Sequence, residues 1–242
     1  DAGMSQDAGM SQDAGAQPGD ELFDHEHLIQ VEVELSAEDW ALIRGEGRGL
    51  TATLTGCARE FDYTYVSGQV TVDGQTYEDV AVRKKGYLGS LYEVRPSMKL
   101  NFGRLVEGRT HAGMRRMTLN NNKQDPSNTH QCMAYALFAS ANAMAPRCNF
   151  AHVVVNGEDL GIYTHVESVK KPMLARYFAD NDGNLYEGQG VDFVAEHREV
   201  IELKTNEADN DRADFDRLSA ALTVADEQVL DALGEVVDLD AF

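Results

Sequence analysis

Ten of the chain's 21 lysines and arginines fall between Arg83 and Lys123, where only Glu93 and Glu107 oppose them. The window is strongly positive, while the 242-residue chain as a whole carries a net charge of −20. An acidic protein that gathers its cations in one stretch is equipped to meet an anion there, although a charge run of this kind also occurs as a solvated face. Two motifs inside the window bear on the difference. A glycine turn, Gly86-Tyr87-Leu88-Gly89-Ser90, precedes a strand-like run from Ser97 to Phe102. Strand parity sends Met98, Leu100 and Phe102 to one side and Ser97, Lys99 and Asn101 to the other. Lys99 is therefore expected on the polar face beside the turn. Backbone N–H groups of such a turn can cradle phosphate oxygens, and a lysine supplies the point charge. On spacing alone, an ordinary surface lysine on an edge strand fits equally well.

Other chemistry-bearing residues give weaker patterns. Cys57, Cys132 and Cys148 contain no CxxC pair and do not resemble a zinc site. One disulfide with a leftover thiol and three buried thiols both fit, and a Cys132–Cys148 bond would suit an oxidising compartment. His25-Glu26-His27 lacks a third ligand at usable spacing. Asp180-Asn181-Asp182-Gly183-Asn184 opens like a calcium loop, but Val191 stands where the bidentate glutamate belongs. No metal ligand is assigned. Arg109 and the Arg115-Arg116 pair could engage an acidic substrate, but read more simply as outer-face residues.

Residues 1–21 contain a repeated DAGMSQ hexapeptide with no hydrophobic periodicity, and are expected to be a flexible tether. Val31, Val33 and Leu35 alternate with glutamates as a half-buried strand. Ser36 caps a short helix through Trp40 and Ile43. Asp73-Gly74 and Asn156-Gly157 mark two hairpins, with arms over 65–83 and 151–166. A strand over 116–120 and a polar loop over 121–127 lead into a helix ending near Asn142. That helix places Met133, Ala134, Leu137, Phe138 and Ala141 on one face. Pro172 opens another helix, and the tail beyond Asp211 reads as amphipathic helices. The negative charge argues against nucleic acid or an anionic membrane surface as partner. No apolar run is long enough for a transmembrane span.

The order of these pieces resembles the CotH family, atypical protein kinases first associated with spore coats and found in exported bacterial proteins. The resemblance rests on the runs from Val80 to Gly86 with Gly89-Ser90, from Ser97 to Phe102, and from Leu119 to Asn122 with Asp125-Pro126-Ser127. Further runs from Ala134 to Phe138, Ala145 to Arg147, Val155 to Glu167, Asp182 to Tyr186 and Leu203 to Glu207 extend it. It implies an α+β fold: a protein-kinase-like small lobe over 22–207, made of a twisted antiparallel sheet with one packed helix, then a hinge and an insertion. Residues 208–242 would begin a helical C-terminal lobe. It implies ATP and Mg2+ as cofactors, with Gly86, Gly89 and Ser90 over the phosphates, Lys99 contacting them, and Glu167 where the adenine-side hinge begins. Gln131 stands where the family usually has a glutamate that would position the lysine, so only an uncharged hydrogen bond is expected from it.

The resemblance further implies phosphoryl transfer to a secreted or surface protein, export to the cell envelope or beyond, and a lipid anchor upstream. The catalytic acids of the family are expected beyond Phe242, so the chain is expected to hold nucleotide without transferring phosphate. The alternative reading is a non-catalytic kinase-like binding or structural module of a bacterial surface or coat protein.

Overall fold

The computed structural model describes residues 17–47, 62–86, 94–188, 190–206 and 211–239. Short-range sequence signals explain its hairpins. Asp73 and Gly74 take φ of 47° and 81°, and Asn156 and Gly157 take 51° and 76°. Positive φ at both central residues is what a two-residue turn needs to match strand twist. The first turn joins β2 (Val66–Val72) to β3 (Gln75–Lys84), and the second joins β6 (Cys148–Val155) to β7 (Glu158–Val166). In β1 (Ile29–Glu34), Ile29, Val31 and Val33 are buried while their polar neighbours are exposed. β4 (Met98–Asn101) and β5 (Arg116–Asn120) complete the set.

These seven strands close in the order β1-β2-β3-β4-β5-β7-β6. The closing contact is parallel, with Val31 of β1 beside Val153 of β6. The expected sheet is twisted and antiparallel; the pairings are antiparallel except β1–β6, whose parallel contact closes the sheet into a barrel. Parallel pairing between strands more than a hundred residues apart leaves no turn signal in the sequence. The architecture is mixed α and β, built around a closed barrel.

Apolar side chains of every strand fill the barrel interior, and two short elements contribute Leu22 and Phe23, and Trp40 and Ile43, to the same core. The first is a 3-10 turn, Asp20–Phe23. The second is α1 (Ala37–Gly45), whose start is fixed by the Ser36 hydroxyl accepting from the Asp39 N–H. Lys84 continues the inward parity of Val80 and Val82. Its buried ammonium donates to the carbonyls of Arg44 (3.0 Å) and Glu46 (2.7 Å) at the end of α1, where the helix dipole favours a cation. The barrel's hold on the chain begins before Leu22: the Gly19 N–H donates to the Ala112 carbonyl at 2.7 Å.

Four more helices follow in the described residues: α2 (His130–Ser140), α3 (Lys171–Tyr177), α4 (Ala213–Ala221) and α5 (Val229–Gly234). A two-stranded sheet of β8 (Tyr186–Glu187) and β9 (Glu202–Leu203) lies between α3 and α4. The expected packed helix is α2, but none of its side chains is buried. Met133 and Leu137 are 65% and 66% exposed, so the apolar face read from the sequence does not enter the core. A disulfide between Cys132 and Cys148 ties α2 to the start of β6. Cys57 lies outside the described residues.

Candidate functional site

The outer face of β3, β4 and β5 is built by the same parity that fills the barrel. Lys99 stands opposite Arg83 on β3 and Thr118 on β5, and Asn101 stands opposite Arg116. Lys99, Arg116, Thr118 and Asn120 therefore share one face, and each lines a cleft of about 620 Å³. That volume suits a small-molecule ligand. Lys85 and Gly86 extend this wall at the end of β3. Gln131 and Tyr135 of α2 form a second wall, and the exit of β7 through Lys170, with Tyr186, Glu187, Glu202 and Lys204 of the small sheet, forms a third.

The cations of the window divide by what they touch. Arg95, Arg109 and Arg115 donate to the main-chain carbonyls of Ile162, Phe102 and Gly103, which makes them part of the scaffold. Arg83 and Arg104 instead stack on Tyr65, with guanidinium carbons 5.3 and 4.2 Å from the ring centre. Burial lowers the pKa of Arg116, and the neighbouring charges of Arg115, Arg104 and Arg83 lower it further. Lys170 is also lowered, first by burial and then by Lys204 and Arg116. The cleft is thus a place where positive charge is crowded and partly desolvated.

Among the described residues that line it, each acid has a cation partner. Glu167 has no accessible side-chain surface and accepts from Arg147 (2.8 Å) and Arg176 (2.5 Å). Glu187 and Glu202 both pair with Lys204, at 3.0 and 2.5 Å. Among the described residues no group of three or more His, Cys, Asp or Glu could hold a metal. Glu187 and Glu202, whose side chains are about half exposed, are the cleft's accessible carboxylates among the described residues.

Comparison with known proteins then bears on what the cleft belongs to. The family model described as CotH kinase protein matches residues 82–242, which takes in most of the cleft. The chain belongs to the CotH family. It is 27% identical over 147 residues to the inner spore coat protein H of Bacillus subtilis (strain 168), an alignment covering 55% of this chain. The chain spans 40% of that relative's length.

Of the residues the CotH resemblance singled out, Gly86, Lys99, Gln131 and Glu167 all line the cleft. Gly89 and Ser90 lie outside the described residues. The Gln131 carboxamide accepts from Asn120 at 2.8 Å and donates to Tyr135 at 3.1 Å, while Asn120 accepts from the Lys85 ammonium at 2.6 Å. The lysine at the end of that relay is Lys85, where the resemblance pointed to Lys99. Glu167 borders the cleft, but its carboxylate is locked between two arginines, so its side chain serves the scaffold. Arg116 reads as an outer-face residue in the sequence, and Lys85, Lys170 and Lys204 are assigned no role there. Parity along β5 could have found Arg116, since Met117 and Leu119 mark the inner face. Nothing local marks Lys170, which reaches the cleft at the exit of β7, or Lys204, which follows β9.

Proposed function

We propose that this CotH-family chain is the nucleotide-binding part of an ATP-dependent protein kinase acting on a secreted or surface protein. The observation that carries the reading is the cleft itself: Lys99 stands on the outer barrel face among Lys85, Arg116 and Lys170, in a space of nucleotide size. Ammonium and guanidinium groups aimed at one cleft stabilise phosphate charge where it accumulates. Tyr135 and Tyr186 on the surrounding walls are aromatic residues of the kind that packs against a base. The disulfide suits an exported protein folding in an oxidising compartment. The spore-coat relative is in keeping with a coat or envelope location.

Phosphoryl transfer needs a carboxylate to orient the nucleophile. Glu167, Glu187 and Glu202 are all paired with cations. The described cleft is read as a holder of phosphate, which is also what a non-catalytic module of a coat protein would be. The test of the nucleotide reading is thermal unfolding with and without magnesium and ATP. Saturating nucleotide is expected to raise the melting temperature, since it binds only the folded state. Lys99→Ala is expected to reduce that rise, because Lys99 lines the cleft. An unchanged melting temperature in wild type at millimolar nucleotide would remove the case for a nucleotide site.

A further inference from the structure

One wall of the cleft is not held by a packed core. α2 supplies Gln131 and Tyr135 to the cleft, yet none of its side chains is buried. The covalent tie between this helix and the barrel is the Cys132–Cys148 disulfide. Cys132 follows Gln131 and lies one turn before Tyr135, so the bond that fixes Cys132 fixes the turn that carries both cleft residues. The other end of the bond is firm. Cys148 opens β6, is 4% exposed, and stands opposite Val166 of β7, which itself lines the cleft. The disulfide therefore joins the α2 wall to the strand pair from which the third wall leaves. From the same turn, Gln131 accepts from Asn120, and Asn120 accepts from the Lys85 ammonium, so a shift of the turn is passed to a cation of the cleft. The other holds on this segment lie at its ends: Asp125 on the His130 N–H, and Tyr177 on the N–H and carbonyl of Ala145. Cys132 is only half-buried, which leaves its sulfur as the one an external thiolate can approach.

We propose that the Cys132–Cys148 disulfide is a thiol-sensitive latch on the cleft. Closed, it holds the α2 wall in place for a phosphate-bearing ligand; opened by a dithiol, it releases that wall and weakens binding. The ligand class rests on the nucleotide reading, whereas the latch rests on where the bond lies. Opening is a thiol–disulfide exchange. A thiolate of the dithiol attacks the Cys132 sulfur, a mixed disulfide forms, and Cys148 leaves as a thiolate that takes up a proton. The second thiolate of the reductant then attacks its own partner sulfur in the mixed disulfide, and Cys132 leaves and is protonated. Two electrons pass from the dithiol, which ends as a disulfide, to the cystine, which ends as two thiols. Coupling between ligand and latch is reciprocal. If the closed latch tightens binding about tenfold, bound ligand lowers the midpoint potential of the disulfide by about 30 mV.

Equilibrium dialysis of the intact chain against magnesium ATP, and separately against inorganic tripolyphosphate, tests this before and after full reduction by dithiothreitol. Circular dichroism follows the barrel in both states. Reduction is expected to raise the dissociation constant about tenfold, within the usual range for coupled sites. Cys132→Ser is expected to bind as weakly as the reduced wild type and to ignore dithiothreitol, while Cys57→Ser responds as wild type does. A titration in dithiothreitol redox buffers is expected to show the lowered potential when a probe is saturating. A disulfide that served stability alone would move the melting temperature and leave affinity and potential where they were. Equal affinity in the two redox states would overturn the inference and leave the nucleotide reading intact. Loss of the barrel's folded signal on reduction would also overturn it, making the bond a staple of the whole fold. Redox-sensitive binding of tripolyphosphate without binding of ATP would uphold the latch and overturn the nucleotide reading. Failure of the oxidised chain to bind either probe would overturn both.

Discussion

His165 is an ionisable group buried within the barrel. It has no exposed surface, its ring stacks on Phe23 at 4.9 Å, and Nδ1 lies 3.2 Å from the Thr118 carbonyl. Nδ1 therefore carries the proton and donates it, while Nε2 finds no hydrogen-bond partner among the described residues. Protonating Nε2 would place a cation in the apolar interior. Burial accordingly lowers the pKa from 6.5 to about 4, outweighing the Thr118 carbonyl and Glu167, which favour the charged form. Above pH 6.5 neither the folded nor the unfolded ring binds a proton. As pH falls from 6.5 towards 4 the unfolded ring does and the folded ring does not, so stability drops across that window. The loss from this group is about 3 kcal/mol in total. In His165→Phe, which keeps the ring stack and removes the titration, the urea midpoint is expected to fall less between pH 7 and pH 4 than in wild type. Parallel pH curves for the two proteins would show that the buried ring ionises without cost. Parity along β7 marks position 165 as interior, beside Tyr163, but only the fold shows that nothing there can accept a second proton.

The helix α2 is held differently from every strand beside it. An isolated helix of this length is marginal in water, and α2 buries none of its side chains. Its restraints are the Cys132–Cys148 bond, the Gln131–Asn120 hydrogen bond, and the Asp125 carboxylate that accepts from the His130 N–H at 2.8 Å. Closing a loop of this size contributes about 3 kcal/mol in chain-entropy terms. A dithiol reductant is therefore expected to strip hydrogen-exchange protection from the α2 amides while the barrel strands keep theirs, and Cys132→Ser is expected to do the same without reductant. Unchanged α2 protection after verified reduction would show that packing, not the tether, fixes the helix. The hairpins and the α1 cap were legible because each depends on two to four adjacent residues. Barrel closure was not, since β1 and β6 meet in parallel across more than a hundred residues. The apolar spacing of α2 correctly indicated a helix but wrongly implied burial. Spacing reports which residues share a face, not whether anything covers it.

At the scale of the whole molecule, the window's charge and the remainder's charge act over different distances. Lys99, Lys85, Arg116 and Lys170 lie at the cleft itself, whereas the acids that produce the net charge of −20 are spread along the rest of the chain. The sequence showed this segregation at once, but not that Lys170 and Lys204 would join the window's cations in space. At an ionic strength of about 0.01 M the Debye length is about 30 Å, so an approaching polyphosphate feels the whole negative molecule. At about 0.15 M it is about 8 Å, and only the nearby cations remain in view. Ordinary electrostatic steering makes association slower as salt is added. Here added salt removes a repulsion first. The association rate of tripolyphosphate, followed by stopped-flow fluorescence, is therefore expected to rise between those two ionic strengths, even as the dissociation rate also rises and equilibrium affinity falls. A rate that declines steadily from the lowest salt would mean that the cluster around Lys99 and Arg116 dominates the field even at long range. The acidic remainder would then have no part in controlling access to the cleft.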